Sequence, residues 1–182
     1  MTITIEEFNH AINMISPFII KTDMELFKDN VYLKKESSQI TGSFKWRGVL
    51  YSVMNIFEEL KETQINENKP YYLVTQSTGN HGIAVIHAVK IMKEHYCEKY
   101  PEYEKKWKKI YPCIFGNQYI KQSKFDKMCN EMLVYHDNEE CIFDCSSKDY
   151  GEALKKREDF LQANQGTYMS HGGKDIMTGY GS

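Results

Sequence analysis

The chain has 182 residues, 41% of them hydrophobic and 26% charged, with a formal net charge of −2. That length suits one domain or slightly more, and the near-neutral balance gives no case for binding nucleic acid or a membrane surface. No apolar run is long enough to span a bilayer, and the first residues lack the basic start and apolar core of a signal peptide, so a cytoplasmic protein is expected.

In chain order, Thr4-Ile5-Glu6-Glu7 has the form of a capping box, and Ile5, Phe8, Ile12 and Ile15 recur at helical spacing up to Pro17. Val31-Tyr32-Leu33 predicts a short strand. Val49, Leu50, Val53, Met54, Phe57 and Leu60 share one face of a helix from Phe44 to about Lys61. Tyr71–Thr75 is rich in strand-favouring residues, and a helix is expected from Gly79 onward. Glu94–Lys109 is dense in interleaved acids, bases and aromatics and reads as a solvated extension of that helix. Further expectations are a strand at Ile110–Phe115, a helix at Ser123–Glu131, a strand at Met132–Tyr135, a helix at Tyr150–Gln162 and a strand at Thr167–Met169. Strands alternating with helices predict an α/β fold: an open, mainly parallel twisted sheet flanked by helices.

Five cysteines without a C-x-x-C pair argue against a disulfide framework or a structural zinc. Cys141 and Cys145, four apart, would share a face if helical, but two ligands are too few for a metal site, and none is assigned.

Two strings carry chemistry. Thr41-Gly42-Ser43-Phe44-Lys45 puts a lysine at the start of a helix, after a glycine that permits close backbone approach and beside a flat ring. A lysine amine held among small and apolar neighbours suits attack on an aldehyde. Ser77-Thr78-Gly79-Asn80-His81-Gly82 follows a strand and opens a helix, so outward N–H groups, two hydroxyls and an amide converge where an open parallel sheet binds ligands. A single histidine such as His81 is by itself more often structural than catalytic; the whole six-residue string is the signal.

With Lys34–Gly48 (KKESSQITGSFKWRG) and Val74–Lys90 (VTQSTGNHGIAVIHAVK), and more loosely Ser170–Ser182, the chain resembles the serine/threonine dehydratase and serine racemase group of pyridoxal-phosphate enzymes, of the tryptophan-synthase-β-like fold. The resemblance spans nearly all of this chain but only the N-terminal portion of a family enzyme. It implies pyridoxal 5′-phosphate as cofactor, held as a Schiff base on Lys45, which also moves the α-proton. It implies that Phe44 lies against the cofactor ring and that Asn80 bonds the ring oxygen. Ser77, Thr78, Gly79 and His81 would hold the carboxylate of a small amino-acid substrate such as serine or threonine. Family racemases carry serine, and dehydratases often alanine, where this chain has Thr78, so elimination and racemisation both stay open. Lys148 falls near a basic position of the racemases without a motif to anchor it.

The resemblance also implies a division of the chain. Residues 46–164 correspond to the small α/β domain. Residues 1–45 and 165–182 correspond to parts of a large domain that this chain does not complete. The family's glycine-rich phosphate loop, the hydroxyl or thiol at the pyridine nitrogen, and the acidic residues for a divalent ion have no counterpart here. An exposed apolar surface is therefore expected on the flanking segments, available to a complementing C-terminal-half chain or to another copy. The alternative to an active enzyme is a catalytically inactive relic or half-enzyme that binds a partner chain.

Overall fold

Four parallel strands in the order β5-β4-β3-β6 form the central sheet: β3 (Tyr71–Gln76), β4 (Ile110–Asn117), β5 (Ile142–Ser147) and β6 (Gly166–Tyr168). The computed structural model describes residues 4–136 and 140–169; the Ser170–Ser182 motif lies outside them. Both faces of the sheet are covered. Leu73 and Ile114 point to the side of α3 (Asn80–Lys99) and α5 (Gln122–His136). Tyr72, Val74, Tyr111, Cys113 and Phe115 point to the side of α6 (Tyr150–Ala163), where Phe160 packs edge-on against Tyr72 and Phe115. Burial on both faces explains why β3 is buried along its whole length rather than at alternate positions. The α/β expectation is met.

Ahead of the sheet lie α1 (Ile5–Ile15), a hairpin of β1 (Met24–Lys28) and β2 (Val31–Lys34), and α2 (Lys45–Glu62). The capping box of α1 forms: Glu7 N–H donates to Thr4 Oγ1 at 3.2 Å, and Thr4 N–H donates to Glu7 Oε2 at 2.8 Å. The hairpin turns at Asp29 and Asn30, both in the left-handed region (φ 42° and 67°) that Asp and Asn tolerate best among non-glycine residues.

Two sequence expectations need correction. Met132–Tyr135 is not a strand but belongs to α5. Met128 and Met132, four apart, are buried against Ile83, Ile86 and Ile114, while Leu133 and Val134 are exposed. One buried helical face outweighs the local strand propensity of Leu-Val-Tyr. The strand in that region is β5. Its polar Asp144, Ser146 and Ser147 and its edge position hide the period-two pattern. Cys141 therefore precedes a strand and Cys145 lies within it. Four residues along extended chain separate them by ~13 Å, too far to share an ion.

Glu94–Lys109 is likewise not a solvated extension. α3 stops at Lys99, Pro101 starts a turn of 3-10 helix, and α4 (Glu104–Lys108) folds back. There Trp107 is fully buried against Phe57, Tyr96 and Tyr103. Lys106 is buried too, and its Nζ donates to the carbonyls of Leu60 (2.7 Å), Thr63 (2.9 Å) and Lys61 (3.3 Å). A cation thus satisfies the carbonyls left open at the C-terminus of α2 and complements its dipole.

Apolar side chains are exposed where residues 1–45 were expected to lack a partner. Ile5, Phe8 and Ile12 form the outward face of α1, and Leu26, Phe27 and Tyr32 stand out from the hairpin.

Beneath this surface, Glu36 accepts from Arg47 Nε (2.8 Å), Arg47 Nη2 (2.9 Å) and Thr22 Oγ1 (2.6 Å). The Arg47 guanidinium holds the Glu36 carboxyl at about 2, well below the usual 4.5. Because the folded pKa is depressed, the stability this pair contributes is full above pH 4.5 and is lost as pH falls toward 2. Glu36→Gln is expected to flatten that part of the acid limb while lowering the plateau near neutrality. Urea midpoints measured between pH 2 and pH 7 test this, and an unchanged acid limb would count against it.

Candidate active site at the carboxyl end of the sheet

α2 and α3 pack side by side and run in the same direction. The Trp46 ring meets His87 edge-on at 6.5 Å, Tyr96 OH donates to Met54 O at 3.4 Å, and Lys61 Nζ reaches Tyr100 OH at 3.4 Å. Partners ascend together along both helices, so both N-termini point the same way. α3 starts immediately after β3, so that end is the carboxyl edge of the sheet. Lys45, the first residue of α2, and the Ser77–Asn80 turn therefore lie at the same edge. Counting from the Trp46–His87 contact, α3 begins ~9 Å beyond the level of Lys45 at 1.5 Å per residue. Side chains on a helix lean toward its N-terminus, so the Lys45 side chain extends in that direction.

Around Lys45, Gly42 takes φ +75°, and its N–H donates to Gln39 O at 2.7 Å. This left-handed bend turns the chain into α2. Phe44 stands at the helix N-cap with its ring half-exposed, and Lys45 Nζ sits 5.0 Å from the ring centroid. Thr41 and Ser43 are 3% and 7% exposed, and their hydroxyls have no hydrogen-bond partner among the described residues. Two orphaned hydroxyls beside a lysine are costly unless something polar completes them. Trp46, fully buried, donates Nε1–H to Phe18 O at 2.9 Å and pins this end of α2.

In the second motif, Ser77 Oγ accepts from Gly79 N–H (3.2 Å) and Gly82 N–H (3.0 Å), so this hydroxyl locks the turn. Thr78 and Asn80 N–H have no acceptor among the described residues, as the open N-terminus of a helix leaves its first donors. Thr78 is half-buried and Asn80 exposed. Gly116 at the end of β4 makes room for the turn, since a Cβ there would come 3.3 Å from Thr78 Cγ2 and 2.6 Å from Cys145 Sγ. The His81 side chain turns away from the turn into the core. Its Nε2 lies 3.0 Å from Thr75 Oγ1, whose proton goes to Met169 O at 3.0 Å, so Nε2 is the donor. Sequence reasoning also passed over Lys124, whose amine reaches Gly79 from α5; the separation of 45 residues in sequence hides it.

A groove of about 610 Å³ opens next to Phe44 and Arg47 and is lined by Phe8, Ile12, Lys21, Lys34 and Glu36. It includes neither Lys45 nor the turn and belongs to the exposed apolar side of α1.

The family model of pyridoxal-phosphate dependent enzymes matches residues 15–182. The chain belongs to that family. Among curated relatives of this pyridoxal-phosphate family, a serine racemase of Dictyostelium discoideum is 33% identical over 97 residues, half of this chain and 28% of the relative. A catabolic L-threonine dehydratase (TdcB) of Staphylococcus aureus is 31% identical over 98 residues, half of this chain and 26% of the relative. Among solved structures, maize serine racemase superposes with a TM-score of 0.72 at 19% identity, covering 100% of this chain and 47% of that one. The fold is thus that of fold type II pyridoxal-phosphate enzymes, and the chain spans about half the length of the structure it matches. The family's cofactor is pyridoxal phosphate, and the residues around Lys45 fit it.

Proposed function

We propose that this chain carries the lysine and substrate turn of an enzyme that eliminates the β-hydroxyl of a small hydroxy amino acid such as serine or threonine, racemises it, or does both. The observation that supports this reading is the placement of Lys45 and the Ser77–Asn80 turn at the same end of two parallel helices, with unpaired hydroxyls at Thr41 and Ser43 next to the lysine in sequence. In this reading Phe44 lies against the ring of the cofactor, and Thr41 and Ser43 offer it hydrogen bonds. The Asn80 amide reaches its ring oxygen. The turn donors at Thr78 and Asn80 hold the substrate carboxylate, while Ser77 keeps the turn rigid. Pyridoxal phosphate, when bound, draws electrons from the substrate α-carbon and so lowers the cost of removing its proton. The Lys45 amine takes that proton and can return it. The Thr78 hydroxyl, half-buried at the turn, is the candidate for delivering a proton to the other face; its methyl group rests near Gly116. Elimination ends in a 2-oxo acid and ammonia, racemisation in the opposite enantiomer.

Residues 46–164 form the small unit in this reading, and residues 1–45 and 165–182 contribute to a second. The exposed apolar residues of α1 and the hairpin favour a further contact there, with a complementing C-terminal-half chain or another copy. An inactive half-enzyme that only binds a partner is the second reading, supported by the same surface. The test supplies pyridoxal phosphate and L-serine or L-threonine to the chain, alone and with the C-terminal half of maize serine racemase. Release of ammonia with a 2-oxo acid, or appearance of D-serine, is expected in at least one mixture. Neither product in either mixture would leave the partner-binding reading.

A further inference from the structure

Lys124 lies in the first turn of α5 with its side chain exposed, and its amine reaches the turn at Gly79. A Cβ placed on Gly79 would lie 3.5 Å from Lys124 Nζ, with no other heavy atom within 4 Å of that point outside the neighbouring residues. The ammonium therefore lies beside Gly79, at the turn that opens α3. No carboxylate pairs with it among the described residues. Asp126 accepts from Gln122 Nε2 at 2.7 Å, and Glu131 is bonded to His87. The first turns of both α3 and α5 carry no acidic residue. A mobile cation would ordinarily leave the positive ends of two helices for the solvent or an acid. Its position beside Gly79 is one that an anion at the turn would stabilise from a second side.

Resting on the reading of the turn as the carboxylate holder, we infer that Lys124 is a specificity-determining residue that pairs with the carboxylate of the amino-acid substrate from the α5 side. The turn donors fix the position of the carboxylate, and Lys124 supplies the charge. Amino acids with a free carboxylate are thereby selected over amides, esters and simple amines, which present no negative charge to the ammonium.

The test needs no cofactor and no turnover. The full ¹⁵N-labelled chain is titrated with malonate as the carboxylate probe and with neutral malonamide as its control, following the amide signals of Thr78, Gly79 and Asn80. Malonate is expected to give saturable shifts and malonamide none. Lys124→Met is expected to bind malonate about tenfold more weakly, the scale of one charge-assisted contact, and Lys124→Arg to restore binding. Equal malonate affinity in wild type and K124M overturns the role of Lys124 and leaves the turn as an anion holder. Absence of saturable shifts in the wild type overturns both this inference and the carboxylate role assigned to the turn.

Discussion

Replacement of Lys45 by alanine is expected to abolish site-directed capture of pyridoxal phosphate. In the wild type, incubation with near-stoichiometric cofactor followed by borohydride reduction should place the added mass on the peptide that contains Lys45. The chain has many lysines, and most are solvated. What singles this one out is its setting: a half-buried residue whose amine lies 5.0 Å from the Phe44 ring, preceded by a left-handed glycine and flanked in sequence by two buried hydroxyls with no partner among the described residues. The flat ring and the unpaired hydroxyls complement a planar polar aldehyde, so capture there should exceed capture at exposed amines. Lys45→Ala removes the nucleophile without disturbing the core, because Trp46 and its bond to Phe18 still anchor the helix. Mass spread evenly over many lysines in both proteins would argue against the assignment.

The largest effect on stability is expected from Trp107→Ala. The indole is fully buried and stacked on Phe57, with Tyr96 and Tyr103 at its edges. Truncation removes that burial and leaves a cavity among side chains that cannot collapse into it, a loss of about 3–5 kcal/mol. The harm should spread, since α4 also carries Lys106 to the end of α2. Trp107→Phe should cost much less. It keeps the aromatic stack, and the indole N–H it deletes has no hydrogen-bond partner. Urea unfolding of the three proteins checks this: the alanine midpoint falls far below a phenylalanine midpoint that stays near wild type. Similar losses in both variants would contradict this account of the cluster.

The candidate site was legible in the sequence to the extent that its motifs are local. Lys45 and the Ser77–Gly82 turn are contiguous strings, and each folds as expected, one at the start of α2 and the other between β3 and α3. The division of labour inside the turn was not legible. Ser77 spends its hydroxyl on Gly79 and Gly82, and His81 spends its ring on Thr75, because both contacts depend on the backbone path rather than on residue type. Lys106 and Trp107 sit in a stretch whose composition describes a solvated surface. Only the fold-back at Pro101 brings them under the end of α2. β5 was hidden for a related reason. An edge strand with polar residues has no alternation to display, whereas the apolar Leu133-Val134 next to it mimics one on the outside of a helix.

The hairpin at Met24–Lys34 has a consequence for where the molecule opens first. All of its strand residues are exposed, and two paired strands hold together only marginally in water. Its tethers are few: Lys34 to the Thr22 carbonyl, the Lys35 N–H to Asp23 O at 2.9 Å, and the surface pair Lys35–Glu25. Hydrogen exchange should therefore be fastest there and slowest in β3. The earliest opening would then begin only a few residues before Glu36 and the segment that presents the lysine, so whatever settles on the hairpin also steadies the approach to the site.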